Sequence, residues 1–176
     1  EFIKRNGMFT VNIALMEKEI FGWKPIFGVV HAPTTKTTWF GGIDVPASKK
    51  TDGGTSEISV NDKPSSLVRL VASGSHRSER DEKFAKELGD HELVRMGSSL
   101  KACIVAEGSA DLYPRFGPTS CWDIAAAHAV VEAAGGLVLS PNCEPLMYDL
   151  VEEVLNPYFL VACSTKWNYI WAQNQD

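Results

Sequence analysis

The stretch from Gly117 to Gly136 constrains this chain more than any other. It reads Gly-Pro-Thr-Ser-Cys-Trp-Asp-Ile-Ala-Ala-Ala-His-Ala-Val-Val-Glu-Ala-Ala-Gly-Gly. A loop leads into a capped helix and then a sharp stop. Trp122, Ala125, Ala126, Ala129, Val130 and Ala133 recur at three- and four-residue spacing, which predicts one apolar face. Ser120 is placed to cap the helix, and Asp123 follows three residues later, as in a capping box. Gly135 and Gly136 supply a left-handed turn. Leu137-Val138-Leu139 then reads as a buried strand. So many alanines let a helix lie close to its neighbour, and a sheet is the expected neighbour.

The chain before this helix reads differently from the chain around it. Phe9, Val11, Ile13 and Leu15 alternate with Thr10, Asn12 and Ala14, predicting a half-buried strand. A turn region over 17–23 leads to strands at 25–31 and 37–40, and Gly41-Gly42 ends the third. Short turns between successive strands predict an antiparallel meander. The polar stretch from Asp44 to Ser56 reads as a variable loop. Its Gly53-Gly54 pair lacks the Lys and Ser/Thr of a phosphate loop. Further on, strands are expected at 67–72, 93–96, 111–113, 137–139 and 159–162. Helices are expected after Ser78, a cap with Asp81 three residues on and Gly89 as the stop, over 98–107 with Leu100, Cys103 and Ile104 inward, and after Thr165. In that last helix Trp167, Ile170 and Trp171 share a face, which suits core packing, or else contact with a membrane surface or partner. Strand-rich first and alternating afterwards, the chain is expected to be mixed α/β.

Net charge is −5, which argues against nonspecific nucleic-acid binding. A small anionic ligand would need a local basic cluster against that background. No apolar run is long enough to span a membrane, and no signal peptide is visible. Cys103, Cys121, Cys143 and Cys163 lie far apart and read as reduced thiols of a cytoplasmic protein. His31, His76, His91 and His128 show no metal-ligand spacing.

Asp123 has two readings. It completes the helix cap and complements the dipole, or it holds a metal ion. One carboxylate alone does not decide, because a magnesium site usually joins one or two carboxylates with water and substrate phosphate.

Several motifs point further. Trp-Asp-Ile-Ala-Ala-Ala-His-Ala followed by Glu-Ala-Ala-Gly-Gly resembles the C-terminal signature of the inositol monophosphatase superfamily. Glu1-Phe-Ile-Lys-Arg-Asn-Gly7, the strand at 9–15, Gly97-Ser-Ser-Leu-Lys101 and Leu112-Tyr-Pro-Arg-Phe-Gly-Pro-Thr119 resemble, more narrowly, the bacterial CysQ-type 3'(2'),5'-bisphosphate nucleotidases. The resemblance runs over nearly the whole chain. It implies a layered α/β sugar-phosphatase (inositol monophosphatase-like) fold with the active site between two halves. Residues 1–64 would be the strand-rich remainder of the first half, and 65–176 the α/β second half. In these enzymes an Asp-Pro-Leu-Asp-Gly-Thr-Lys segment precedes the sequence found here at Glu1 and supplies metal-binding aspartates. The resemblance therefore implies an N-terminally truncated phosphatase whose cut falls inside the active site.

The implied activity is magnesium-dependent removal of the 3'-phosphate from adenosine 3',5'-bisphosphate, in sulfur assimilation and nucleotide recycling. Asp123 would be the retained Mg2+ ligand, and Thr119 and Ser120 lie at the same helix start. His76, Ser98, Lys101 and Arg115 match nucleotide-binding positions. Each has a plain alternative: a turn histidine, a capping serine, a surface ion pair for Arg115. Lys101 is expected in the first turn of a helix capped by Ser98, where a cation opposes the helix dipole unless an anion binds there. Rival readings are an inositol or sugar phosphatase of the superfamily and a noncatalytic nucleotide-binding fragment. The resemblance places the protein in the cytoplasm, with room for peripheral association at the inner membrane.

Overall fold

The structure is a computed structural model and describes residues 7–73 and 78–175. His76 lies outside the described residues. Two five-stranded sheets carry the fold. The first is the expected antiparallel meander, extended beyond expectation: β1 (Val11–Glu19), β2 (Gly22–Ala32), β3 (Thr37–Gly42), β4 (Val45–Thr51) and β5 (Gly54–Glu57) lie side by side in chain order. The polar stretch taken for a variable loop is thus the β4–β5 hairpin, with Asp52-Gly53 at its tip. Its backbone pairs although its exposed side chains leave no apolar pattern. Gly41 and Gly42 are the last two residues of β3, which ends at Gly42.

The second sheet holds β6 (Val68–Ser73), β7 (His91–Met96), β8 (Leu112–Arg115), β9 (Leu137–Leu139) and β10 (Phe159–Ala162), in spatial order β7-β6-β8-β10-β9. β6 runs parallel to β7 and β8, whereas β10 runs antiparallel to β8 and β9. Helix α1 (Glu79–Leu88) makes the β6-to-β7 crossover. Ser78 and Asp81 cap it reciprocally and Gly89 ends it, as the sequence predicts. Its Phe84 packs against Phe116 and against Trp171 of α4 (Asn168–Gln173). Trp167 and Trp171 are buried, so the aromatic face of the last helix belongs to the core.

Helix α3 (Cys121–Ala133) lies against β1, β2 and β3 on one side and against α2 (Leu100–Ala106) on the other. The one-sided apolar face predicted for α3 is corrected here. Every residue from Ile124 to Val131 is buried, because the helix is enclosed by neighbours, while Trp122 at its start is exposed. Its alanines permit close approach. At Gly28 of β2 a Cβ would overlap the carbonyl of Ala126. β1 is half-buried as expected, and the same contact sets which of its faces is covered. Asn12, Ala14 and Met16 face the helix layer, while Phe9, Val11, Ile13 and Leu15 are at least half exposed. The larger apolar row points to the open face of the sheet.

Among the described residues no helix is long and apolar enough to cross a membrane. The four cysteines are free thiols.

Candidate active site

Strand β8, the turn before α2 and the start of α3 converge on one cleft of about 170 Å³. Ser98, Lys101, Arg115, Thr119 and Asp123 all line it, joined by Ser99 and Tyr113. Five positions singled out in the sequence, spread over 98–123, are therefore brought together. Ser120 stands beside them at the start of α3.

Asp123 is exposed, and its Oδ2 accepts the Ser120 N–H at 2.9 Å. The capping role is real, yet it uses one carboxylate oxygen and leaves the other outside the cap. Thr119 is held from behind: Asn156 Nδ2 donates to its Oγ1 at 3.0 Å and the Asn156 N–H to its carbonyl at 2.8 Å.

The turn before α2 departs from expectation. The helix begins at Leu100, and Ser98 does not cap it. Ser98 instead has a left-handed backbone, φ 52°, which a residue with a Cβ adopts at a cost. Its hydroxyl lies 2.7 Å from Thr10 Oγ1. Lys101 is buried, and its Nζ donates to the Ser98 carbonyl at 2.8 Å and sits 5.4 Å from the centre of the Tyr113 ring. The dipole mismatch expected for a cation in this first turn is thus moderated by a carbonyl and an aromatic face.

Arg115 leaves the end of β8 half-buried, with its Nη2 donating to the Pro118 carbonyl at 3.3 Å. Its guanidinium lies against Gly117. Among the described residues no carboxylate pairs with it, so the surface ion-pair alternative is not realised. Its Nε is buried with no hydrogen-bond partner there. A buried N–H without an acceptor costs free energy until a ligand supplies one. Between these cations, burial pushes the Tyr113 phenol far above its ordinary value, with Arg115 opposing. Tyr113 stays neutral and serves as a donor or as an aromatic surface.

Among the described residues no group of three acidic, histidine or cysteine side chains could hold a metal ion. Asp123 fits as one carboxylate of a magnesium site, since such sites take only one or two with water and phosphate.

Sequence reasoning missed Tyr113, Thr10 and Asn12 as contributors to this site. Thr10, just before β1, and Asn12 within it are polar positions alternating with apolar ones, a pattern that does not show what they touch. It also missed a partly buried polar chain centred on His128 and Glu132 of α3. His128 Nδ1 lies 2.8 Å from Tyr148 Oη and its Nε2 3.2 Å from Glu132 Oε1, while Lys24 approaches Glu132 Oε2 at 3.6 Å.

The chain as a whole is similar to proteins of one family. The profile of the inositol monophosphatase family matches residues 1–169. The chain is 47% identical over 162 residues to 3'(2'),5'-bisphosphate nucleotidase CysQ of Salmonella typhimurium strain LT2, covering 92% of this chain and 63% of that protein. CysQ of Escherichia coli K12 matches with the same identity and coverage. The crystal structure of CysQ from Bacteroides thetaiotaomicron superposes with a TM-score of 0.81 at 38% identity, over 93% of this chain and 66% of that one. The chain thus spans a little under two thirds of the length of these relatives. With the family profile covering nearly all of it and the expected side chains gathered at one cleft, the chain belongs to the inositol monophosphatase family.

Proposed function

We propose that this chain forms the nucleotide-facing part of a 3'(2'),5'-bisphosphate nucleotidase, a magnesium-dependent phosphatase that removes the 3'-phosphate of adenosine 3',5'-bisphosphate. The observation that carries this reading is the cleft shared by Lys101, Arg115 and Asp123. Two cationic side chains meet one exposed carboxylate in a protein of net charge −5. Such a local positive cluster suits a ligand with more than one phosphate, because a planar guanidinium takes phosphate bidentately and an ammonium takes it as a point charge. The CysQ names of the relatives supply the class of ligand.

Arg115 lines the cleft and offers its guanidinium to a ligand oxygen. Lys101 holds a second anionic group while it stays anchored to Ser98. Tyr113 presents an uncharged ring between the two. Asp123 would hold magnesium, which when bound neutralises phosphate charge and lowers the pKa of the attacking water. At about 170 Å³ the cleft is smaller than the roughly 300–1,000 Å³ usual for small-ligand sites, so these residues grip part of the ligand. Action in the cytoplasm, in sulfur assimilation and nucleotide recycling, belongs to the same proposal.

The test is phosphate release with magnesium from adenosine 3',5'-bisphosphate, inositol 1-phosphate and a sugar bisphosphate, using protein that spans the full length of the relatives. The nucleotide is expected to be preferred. Preference for either of the other substrates assigns the protein to another phosphatase activity of the family. Nucleotide binding without phosphate release leaves a noncatalytic binding module.

A further inference from the structure

The two walls of the cleft come from separate helices, α2 and α3, which pack against each other. A chain of side-chain hydrogen bonds from the first sheet adds a second tie between them. Thr10, just before β1, places its Oγ1 2.7 Å from Ser98 Oγ and 2.8 Å from Ser99 Oγ. Two residues on, Asn12 accepts the Ser99 hydroxyl proton at its Oδ1, 2.8 Å away. The Asn12 Nδ2 then donates to the carbonyl of Trp122 at 3.3 Å. Trp122 directly precedes Asp123.

The protons in this chain run one way. The Trp122 carbonyl can only accept, so the Asn12 amide nitrogen faces it and the Asn12 oxygen faces Ser99. Ser99 spends its single proton on Asn12. Its contact with Thr10 is therefore donated by Thr10, and Ser98 donates to Thr10. Each hydroxyl has one proton and each is used. The polar side of β1 thereby joins the Lys101 wall, through Ser98, to the Asp123 wall, through Trp122.

We propose that Thr10, with Asn12, is a positioning residue for ligand binding: it holds Ser98 in its left-handed conformation, anchors Lys101 through the Ser98 carbonyl, and spaces that cation from the start of α3. The ligand side of this inference rests on the bisphosphate nucleotidase reading, whereas the tie itself does not.

The experiment compares Thr10→Val, which keeps the shape and removes the hydroxyl, with Thr10→Ser, which restores it. Both are made in protein that spans the relatives' length. Backbone hydrogen exchange is measured without ligand, followed by KM and kcat on adenosine 3',5'-bisphosphate. The N–H groups of Ala102 and Cys103 close on the Ser99 carbonyl at 3.1 and 3.3 Å and report on the turn. In the Val variant they are expected to exchange faster, and KM to rise roughly three- to tenfold, the equivalent of losing one or so net hydrogen bonds. The effect on kcat is expected to be smaller, and Thr10→Ser to return both exchange and KM toward wild type. Exchange at these amides that is unchanged in the Val variant, or equally changed in both variants, overturns the tie. If exchange separates the variants but KM does not, the role in binding is overturned. If the wild-type protein does not act on this nucleotide, the functional reading fails, and the exchange contrast still decides the tie.

Discussion

Asp111 offers the sharpest test of how the cleft is supported. It is fully buried at the entry to β8, the strand that delivers Tyr113 and Arg115. Its Oδ1 accepts from Asn61 Nδ2 at 2.8 Å and Arg69 Nη2 at 2.7 Å, and its Oδ2 accepts from the Arg69 backbone N–H at 2.8 Å and Arg69 Nε at 3.2 Å. All four partners are donors. In Asp111→Asn, whichever way the amide turns, its NH2 faces two of them. Two bonds are lost, donors oppose donors, and the largely buried Arg69 loses its countercharge. Hydrogen bonds to charged groups contribute about 1.5–3 kcal/mol each, and breaking a buried ion pair from one side costs about 3–5 kcal/mol. The overlapping estimate is about 3–5 kcal/mol, a large part of the 5–15 kcal/mol available to a typical domain. The pH dependence follows from the carboxyl. Burial raises its pKa, but the bonds from Arg69 and Asn61 outweigh burial and the net shift is downward. A lowered folded value means that the stabilisation is complete above the unfolded carboxyl pKa of about 3.9 and is lost as pH falls through the folded value. Urea unfolding of wild type and variant at neutral pH and at about pH 3 measures this. The gap should be wide at neutral pH and narrower in acid. A gap under about 1 kcal/mol at neutral pH, or one independent of pH, refutes the reasoning.

Gly28→Ala should lower stability by about 1–3 kcal/mol or more, since its methyl would meet the Ala126 backbone and not a movable side chain. Thermal melting checks it, and an unchanged melting temperature would show that α3 sits farther from β2. Asp123→Asn should change stability by about 1 kcal/mol or less, because an amide oxygen can still accept the Ser120 N–H. Phosphatase activity should fall by orders of magnitude with the loss of a metal-binding charge, and near-normal turnover would leave only the capping role. Arg115→Ala should weaken binding of adenosine 3',5'-bisphosphate far more than that of inositol 1-phosphate in parallel titrations. Equal losses would remove Arg115 from substrate choice.

What the sequence made legible depended on whether a feature is local. The cap of α1, with Ser78, Asp81 and Gly89, lies within one short segment and its physics is complete there. The order of β1, β2 and β3 was readable because short connections leave little choice but antiparallel pairing. β4 and β5 were not, since their mostly polar residues leave no apolar alternation and the hairpin is held by backbone pairing that composition does not display. Which face of β1 is covered was not legible for a related reason. Alternation shows that two faces differ, but not which one an alanine-rich helix will cover. Here the close fit of α3 at Gly28 favours the smaller side chains of Asn12 and Ala14 over Ile13 and Leu15.

The site divides along the same line. Lys101 and Arg115 were reached through the family resemblance of their motifs, and Asp123 through that resemblance together with its place at a helix start. They meet because β8 runs straight into the loop that opens α3, and the turn that opens α2 lines the same cleft. The interactions that set their exact spacing were hidden. Thr10 meets Ser98 across 88 positions of chain and Asn12 meets Trp122 across 110. Such contacts depend on how a whole sheet stacks on the helix layer, and neither partner carries a mark of it. A threonine on an alternating strand is equally consistent with solvent. Only the stacked layers turn it into a link between the two walls of the cleft. Substitutions there should therefore affect ligand binding while the strand itself still forms.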